Sequence, residues 1–399
     1  MPMPPRLSKR QALTLLSGAA ALTLGGITAV QYGGHDDAAR EPRPTLRLRA
    51  AGGGHVAYGK PIQAVAGHGV ISGAHLKDKS GHDIPGHIEQ RKGDWTSDRP
   101  LAPGQSYTLK VTLRTESGRD STETRTITTQ QAAHPNKVTL APGSKGATVG
   151  IAQLITLTFD HPVADKKTVE QQLHITTSHP TKGAWGWVKD RMSGKDRVEW
   201  RPRGYWKPGT RVHVQADLAG QDAAADHPFA RDYAVQFAVG AAHRITVDID
   251  TRRLRFLDAG HVAKELHVSA GKDDREHATW TGTIPLMAKE GRVNMRSETV
   301  GLSNYYNKDV QYGMRLTASG TYAHDAPWND VLGTVNNSSG CVQMTPNDAR
   351  WLFEHVQVGD PFEISGHPTR GTVAEGNGFA EWNIPWRTWL TRSALTKTG

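Results

Sequence analysis

One arrangement of landmarks occurs twice in this sequence at a fixed offset. Trp95 is followed eight residues later by Pro103-Gly104, then by an alternating run from Tyr107. Trp200 is followed eight residues later by Pro208-Gly209, then by an alternating run from Val212. Each landmark recurs 105 residues on, about the length of one β-sandwich domain. An inward-facing Trp, a tight Pro-Gly turn and the next core strand form one physical unit. The recurrence therefore predicts two sandwiches of the same kind in series.

The local texture agrees. Residues 45–130 hold short alternating segments (LRLRA, YTLKVTLRT, TETRTITT) parted by turn signals such as Ser80-Gly81, Lys92-Gly93 and Pro103-Gly104. Residues 136–239 repeat the texture with TVGIAQLITLTFD, RVEWRP, GTRVHVQAD and YAVQFAV. The chain has 42 Gly and 22 Pro in 399 residues and no long Leu/Ala/Glu/Lys-rich stretch, which disfavours a helical bundle. We expect immunoglobulin-like domains at residues 45–132 and 133–241. Their histidines (His68, His75, His82, His87, His161, His174 and His179) show no metal-ligand spacing and read as surface residues.

Residues 1–10 carry Arg6, Lys9 and Arg10, and residues 12–30 then run without a charge. A basic segment ahead of a mildly apolar, Gly/Ala/Thr-rich run reads as an export signal, either cleaved or kept as a membrane anchor. Its 19 residues just suffice to cross a bilayer. Residues 1–44 are thus expected to be signal or anchor plus linker, and the protein to be exported to the cell wall. Membrane contact is expected only through this segment. The formal charge of +9 favours polyanionic surroundings. The cations are scattered and no nucleic-acid-binding motif is found, so no nucleic-acid partner is expected.

From Arg244 the texture changes. The stretch RITVDIDTRRLRFLDAGHVAKELHVSAGK reads as three strands joined by two turns. Residues 272–311 read as a long irregular stretch with Pro285, Gly291 and the pair Tyr305-Tyr306. A strand is expected at RLTASGTYAH. Thr345-Pro346 starts a helix, with Thr as its cap and Pro at its first position, running to about Val356. The strand DPFEI follows.

The single cysteine, Cys341, excludes an intramolecular disulfide and any cysteine-based zinc or iron–sulfur site. An unpaired thiol on an exported chain points to a working cysteine. Cys341 follows Asn336-Asn337-Ser338-Ser339-Gly340, small polar residues rather than the apolar neighbours of a structural cysteine. The backbone N–H groups of Ser339, Gly340 and Cys341 are placed to converge on a developing oxyanion, given the freedom of Gly340. A thiol needs a base or a cation beside it, and His324 is the candidate. Spacing alone leaves this dyad one option among several.

The segments His324-Asp325-Ala326-Pro327-Trp328, Ser338-Ser339-Gly340-Cys341, Asp348-Ala349-Arg350-Trp351 and Val358-Gly359-Asp360 together resemble the catalytic domain of L,D-transpeptidases. These are peptidoglycan cross-linking enzymes with a YkuD-type β fold. Glu381-Trp382-Asn383-Ile384-Pro385-Trp386 resembles the C-terminal segment of the actinobacterial type, in which two immunoglobulin-like domains precede the catalytic domain. The resemblance covers residue 45 to the C-terminus. It implies a mainly β fold: two immunoglobulin-like β-sandwiches, then a β-rich catalytic domain with one main helix at residues 242–368. Residues 369–399 would be a Trp-rich segment packing on that domain.

The resemblance further implies Cys341 as nucleophile and His324 as base and later acid, with the Asp325 carbonyl orienting the imidazole. It places Ser339 and Gly340 at the oxyanion, and Tyr306, Trp328, Asn337 and Ser338 against substrate. It implies 3→3 cross-linking of peptidoglycan tetrapeptide stems, as donor and as acceptor, through a Cys341 thioester. No cofactor or metal is implied, and carbapenem-type β-lactams become expected covalent inhibitors. Two positions depart from the family: Ser339 replaces a His before Gly-Cys, and Gln343 replaces an Arg or Asn. The alternatives are an L,D-carboxypeptidase or wall-attachment transpeptidase using the same acyl-enzyme, a non-catalytic wall-binding protein, and a different cysteine hydrolase.

Overall fold

A computed structural model of the protein describes residues 42–396, apart from 50, 53, 54, 91, 225 and 302–305. Of the expected signal or anchor plus linker at residues 1–44, residues 1–41 lie outside the described residues. Among the described residues no helix is long and apolar enough to cross a membrane.

The first sandwich pairs two four-stranded sheets. One runs Thr45–Arg49, Gln63–Gly67, Trp95–Ser97, Gly86–Ile88, and the other Asp120–Thr128, Ser106–Arg114, Val70–Asp78, Asp83–Ile84. Alternation builds the core: Tyr107, Leu109, Val111 and Leu113 point inward from one strand and meet Leu46, Ala64 and Trp95 from the other sheet. The second sandwich repeats the plan. Its sheets run Val138–Ala141, Ile155–Phe159, Asp196–Pro202, Gly183–Lys189 and Ala147–Val149, Tyr233–Val239, Arg211–Ala216, Leu173–Thr177. Of the seven histidines expected at the surface, His161 and His179 are half-buried and the others exposed.

The sequence repeat has a structural depth beyond its landmarks. Trp95 and Trp200 are both buried, at 2% and 7% exposure. A glycine on the neighbouring strand makes room for each ring. A Cβ on Gly86 would lie 2.2 Å from Trp95 Cζ2, and one on Gly183 would lie 2.1 Å from Trp200 Cζ2. The two Pro-Gly turns place Gly104 and Gly209 at φ of +64° and +78°, where a side chain is strained.

The third region has two sheets around one core. A five-stranded sheet runs His261–His267, Arg253–Asp258, His243–Asp248, Pro361–Ser365, Gly282–Pro285. A four-stranded sheet runs Ala288–Arg296, Asn307–Arg315, Tyr322–Asp325, Val342–Met344. Val247, Phe256 and Phe362 from the first meet Met314, Val342 and Met344 from the second, with Leu352 of the helix Pro346–His355 in the same cluster. Thr345 caps that helix by accepting from Asp348 N at 3.2 Å, and Pro346 opens it.

Two expectations are corrected here. Residues 272–311 are not mainly irregular. They contain Gly282–Pro285 and most of a hairpin, Ala288–Arg296 with Asn307–Arg315. The hairpin escapes sequence reading because its first strand buries no side chain fully and its register shifts at Gly291. The strand expected at RLTASGTYAH is broken by a turn in which Thr321 N donates to Thr317 Oγ1 at 2.9 Å and Gly320 takes φ +96°.

The C-terminal segment was expected to pack on the catalytic domain, which is half of what it does. Asn383 Nδ2 donates to Thr283 O of that domain at 2.9 Å. The helix Trp386–Leu390, however, sits on the second sandwich. Trp389 is fully buried there, its Nε1 donating to Ala184 O at 3.0 Å. A Cβ on Gly186 would lie 2.7 Å from its ring. Arg201 spreads its guanidinium over Trp382, Trp386 and Trp389 at 5.5, 5.3 and 5.2 Å.

Candidate active site

The four-stranded sheet brings the sequence motifs together. Tyr322–Asp325 runs parallel to Val342–Met344, with His324 opposite Gln343. Cys341 is two residues before Gln343, so its side chain shares the face that His324 occupies. Both line a cleft of about 180 Å³. Of the other expected site residues, Tyr306, Trp328, Asn337, Ser338 and Ser339 also line it. Gly340 and Asp325 are not among its lining residues, and the Asp325 carbonyl is the partner of the imidazole.

His324 is 3% exposed, and its Nδ1 lies 2.5 Å from Asp325 O. A carbonyl only accepts, so Nδ1 carries the proton and Nε2 is the basic nitrogen. Burial pushes the imidazole down to about 4, against the pull of that carbonyl. Burial likewise pushes the Cys341 thiol up to about 11, partly opposed by a backbone hydrogen bond from Tyr322. Near neutral pH the thiol and the imidazole are therefore both neutral. Sγ donates weakly to Gly320 O at 4.0 Å. A proton leaving Sγ must be taken up as the new bond forms, which is general-base chemistry rather than a standing ion pair.

The turn before Cys341 is braced by Ser338. Its Oγ donates to Cys341 O at 2.6 Å and accepts from Gly340 N at 3.1 Å. This corrects one expectation: the Gly340 N–H is already engaged and is not an oxyanion donor. Among the described residues the N–H groups of Ser339 and Cys341 have no partner, so these two are the donors left. Gly340 earns its place otherwise, at φ +113° in close approach to Gly271.

Asn337 is held rather than free. Its Oδ1 accepts from Ser269 Oγ at 2.9 Å and from Asn329 Nδ2 at 2.8 Å. Asn329 Nδ2 also donates to Gln343 Oε1 at 2.8 Å, so the Gln343 NH2 is the end available to the cleft. Tyr306 is half-buried, and burial together with the Cys341 charge pushes its phenol up to about 12. It stays protonated, a donor near the thiol. Trp328 is 41% exposed at the cleft mouth.

Sequence reading missed Met295, Lys308 and Val310, which line the cleft from the hairpin. The two-residue spacing of Tyr306, Lys308 and Val310 was the available signal. It was masked by polar neighbours on both sides. Among the described residues no group of three His, Cys, Asp or Glu side chains is placed to hold a metal.

Comparisons with known proteins agree along the chain. A family model for the bacterial Ig domain matches residues 54–222, and one for the L,D-transpeptidase catalytic domain matches residues 242–364. L,D-transpeptidase 2 of Mycobacterium tuberculosis is 30% identical over 340 residues, 84% of this chain and 81% of that protein. L,D-transpeptidase 5 of the same organism is 28% identical over 360 residues, 89% of this chain and 78% of that protein. A solved L,D-transpeptidase in complex with imipenem is 34% identical and covers 57% of this chain and 98% of its own, at a TM-score of 0.48.

Proposed function

The chain belongs to the L,D-transpeptidases, and from that premise we propose that it forms 3→3 peptidoglycan cross-links through a Cys341 thioester. The observation that carries this reading is the pairing of a tautomer-fixed His324 with the chain's single thiol in one cleft. The donor is a tetrapeptide stem. His324 Nε2 takes the Cys341 proton as Sγ attacks the carbonyl of the third residue. The Ser339 and Cys341 N–H groups receive the oxyanion, and Tyr306 adds a phenolic donor. Collapse breaks the peptide bond. The leaving terminal D-alanine takes the proton from His324, and the acyl group stays on sulfur.

The amine of a second stem then attacks the thioester and gives its proton to His324. The thiolate leaves and is reprotonated. One amide replaces another, so the exchange needs no cofactor. The same nucleophile would open the strained ring of a carbapenem and stay acylated. On this reading the protein works outside the cytoplasm, and the basic and apolar N-terminal run supports that.

Mass spectrometry of products from purified tetrapeptide stems tests the reading. A cross-linked product with loss of one D-alanine, and a thioester on the Cys341 peptide, are expected. Release of D-alanine with only tripeptide formed would make the enzyme a carboxypeptidase. No acyl-enzyme with any stem would overturn the proposal.

A further inference from the structure

The cleft is lined by one lysine, Lys308, and by no arginine. Its surroundings do not account for it. Its sequence neighbour Asp309 is held by Arg292 at 2.7 Å and by Asn294 Nδ2 at 2.9 Å. Among the described residues no carboxylate pairs with Lys308, and none lines the cleft. The ammonium instead stands 4.1 Å from the centre of the Trp328 ring, which is itself exposed. An exposed cation–π contact is weak, so the ammonium is prepositioned yet free to accept a better partner.

Its position along the strand limits where a partner can lie. Tyr306, Lys308 and Val310 alternate onto the cleft face. Tyr306 lines the same cleft as Cys341. Two residues of strand span about 7 Å, so the two side chains enter the cleft about two extended peptide residues apart. A group bound by Lys308 therefore lies within about two residues of the carbonyl that Cys341 attacks, a range that takes in a carboxylate one residue beyond it.

We propose that Lys308, braced on Trp328, is a specificity-determining residue that receives the free terminal carboxylate of the acyl donor, on the residue the reaction expels. The inference rests on the transpeptidase reading above. It assigns the cleft a preference for donors ending in a carboxylate over those ending in a carboxamide. The chain's other possible carboxylate ligand, on the donor's diamino acid, has the same chemistry but a different place.

The test uses the full chain and three synthetic tetrapeptide donors: one unmodified, one with a terminal carboxamide, and one amidated at the diamino-acid carboxylate. Thioester formation is followed by mass spectrometry and kcat/KM by D-alanine or D-alaninamide release. The unmodified enzyme is expected to favour the terminal carboxylate over the carboxamide by about 10-fold, the scale of a charged hydrogen bond. That ratio should shrink with added salt. Lys308→Ala should bring the ratio near one, Lys308→Glu should reverse it, and Lys308→Arg should keep it. An unchanged ratio in Lys308→Ala would overturn the inference while leaving the transpeptidase reading intact. So would a ratio that moves only for the diamino-acid amide. No thioester with any donor in the unmodified enzyme would instead bring down the reading on which it rests, and this inference with it.

Discussion

His324 donates its Nδ1 proton to the backbone carbonyl of the next residue, Asp325, across 2.5 Å. The orienting group is thus main chain, and no side-chain substitution at Asp325 removes it. With the imidazole near 4 and the thiol near 11, the site has a wide window in which its resting protonation does not change. Thioester formation, read as kcat/KM, is expected to fall as pH drops through about 4, where His324 gains a proton and stops acting as a base. It should rise again only toward about 11, where the thiol ionises unaided. A narrow bell centred near neutrality would contradict this.

The same burial affects stability. His324 in the folded protein holds its proton less tightly than an unfolded histidine near 6.5. Its contribution is therefore fully present above about 6.5 and is lost progressively as pH falls toward 4. Between those limits the loss is on the order of 3 kcal/mol. Chemical unfolding of the native protein and of His324→Gln, at pH 7 and again at pH 4.5, should show the gap between them narrowing or reversing in acid. An equal acid loss in both would place the titrating group elsewhere.

Cys341→Ala is expected to abolish cross-linking and carbapenem adducts without unfolding the protein, since the thiol is half-buried beside a cleft. His324→Ala should lower the acylation rate about 10²–10⁴-fold. Adducts on the Cys341→Ala protein, detected by intact mass, would remove Cys341 from the chemistry.

Ser338 and Ser339 are neighbours with opposite expected sensitivities. Ser338→Ala leaves Gly340 N and Cys341 O without their shared partner. The cost should be about 1–3 kcal/mol in stability, with a clear drop in acylation rate. Ser339→Ala keeps the backbone N–H and should cost about 1 kcal/mol or less. A loss beyond ~10³-fold in Ser339→Ala would show its hydroxyl acting in the transition state.

Much of this was legible in the sequence, for identifiable reasons. The sandwiches announced themselves through Tyr107, Leu109, Val111 and Leu113, because a strand with one buried face must alternate. Cys341 and His324 were legible because each sits in a short, chemically odd segment. The Asn329–Gln343–Asn337–Ser269 network was not, since its members lie up to 74 residues apart and neutral polar side chains carry no pattern. Lys308 was hidden by a hairpin whose strands lack a wholly apolar face. The engagement of Gly340 N by Ser338 Oγ depends on side-chain rotamers that no spacing rule reveals.

Trp389→Ala should be among the most damaging substitutions far from the cleft. The fully buried ring fills the space that Gly186 leaves, and its removal is expected to cost about 3–5 kcal/mol. Calorimetry should show the transition moving to lower temperature or splitting in two, as the second sandwich and the catalytic domain part company. A melting curve identical to that of the native protein would mean the tail adds nothing to the joint.

That tail also fixes an order of events. Trp382 Nε1 reaches Ala152 O, Trp187 N reaches Arg392 O and Ser393 Oγ reaches Glu170 Oε1, so the second sandwich is bound by residues that follow the whole catalytic domain in the chain. Gly150 N and Ala152 N also donate to Val358 O and Gly359 O, so the two domains touch directly, but during synthesis both can emerge and fold before the tail exists. The tail's share of the joint is then the last thing made. It closes over two finished surfaces and acts as a late check that both have formed.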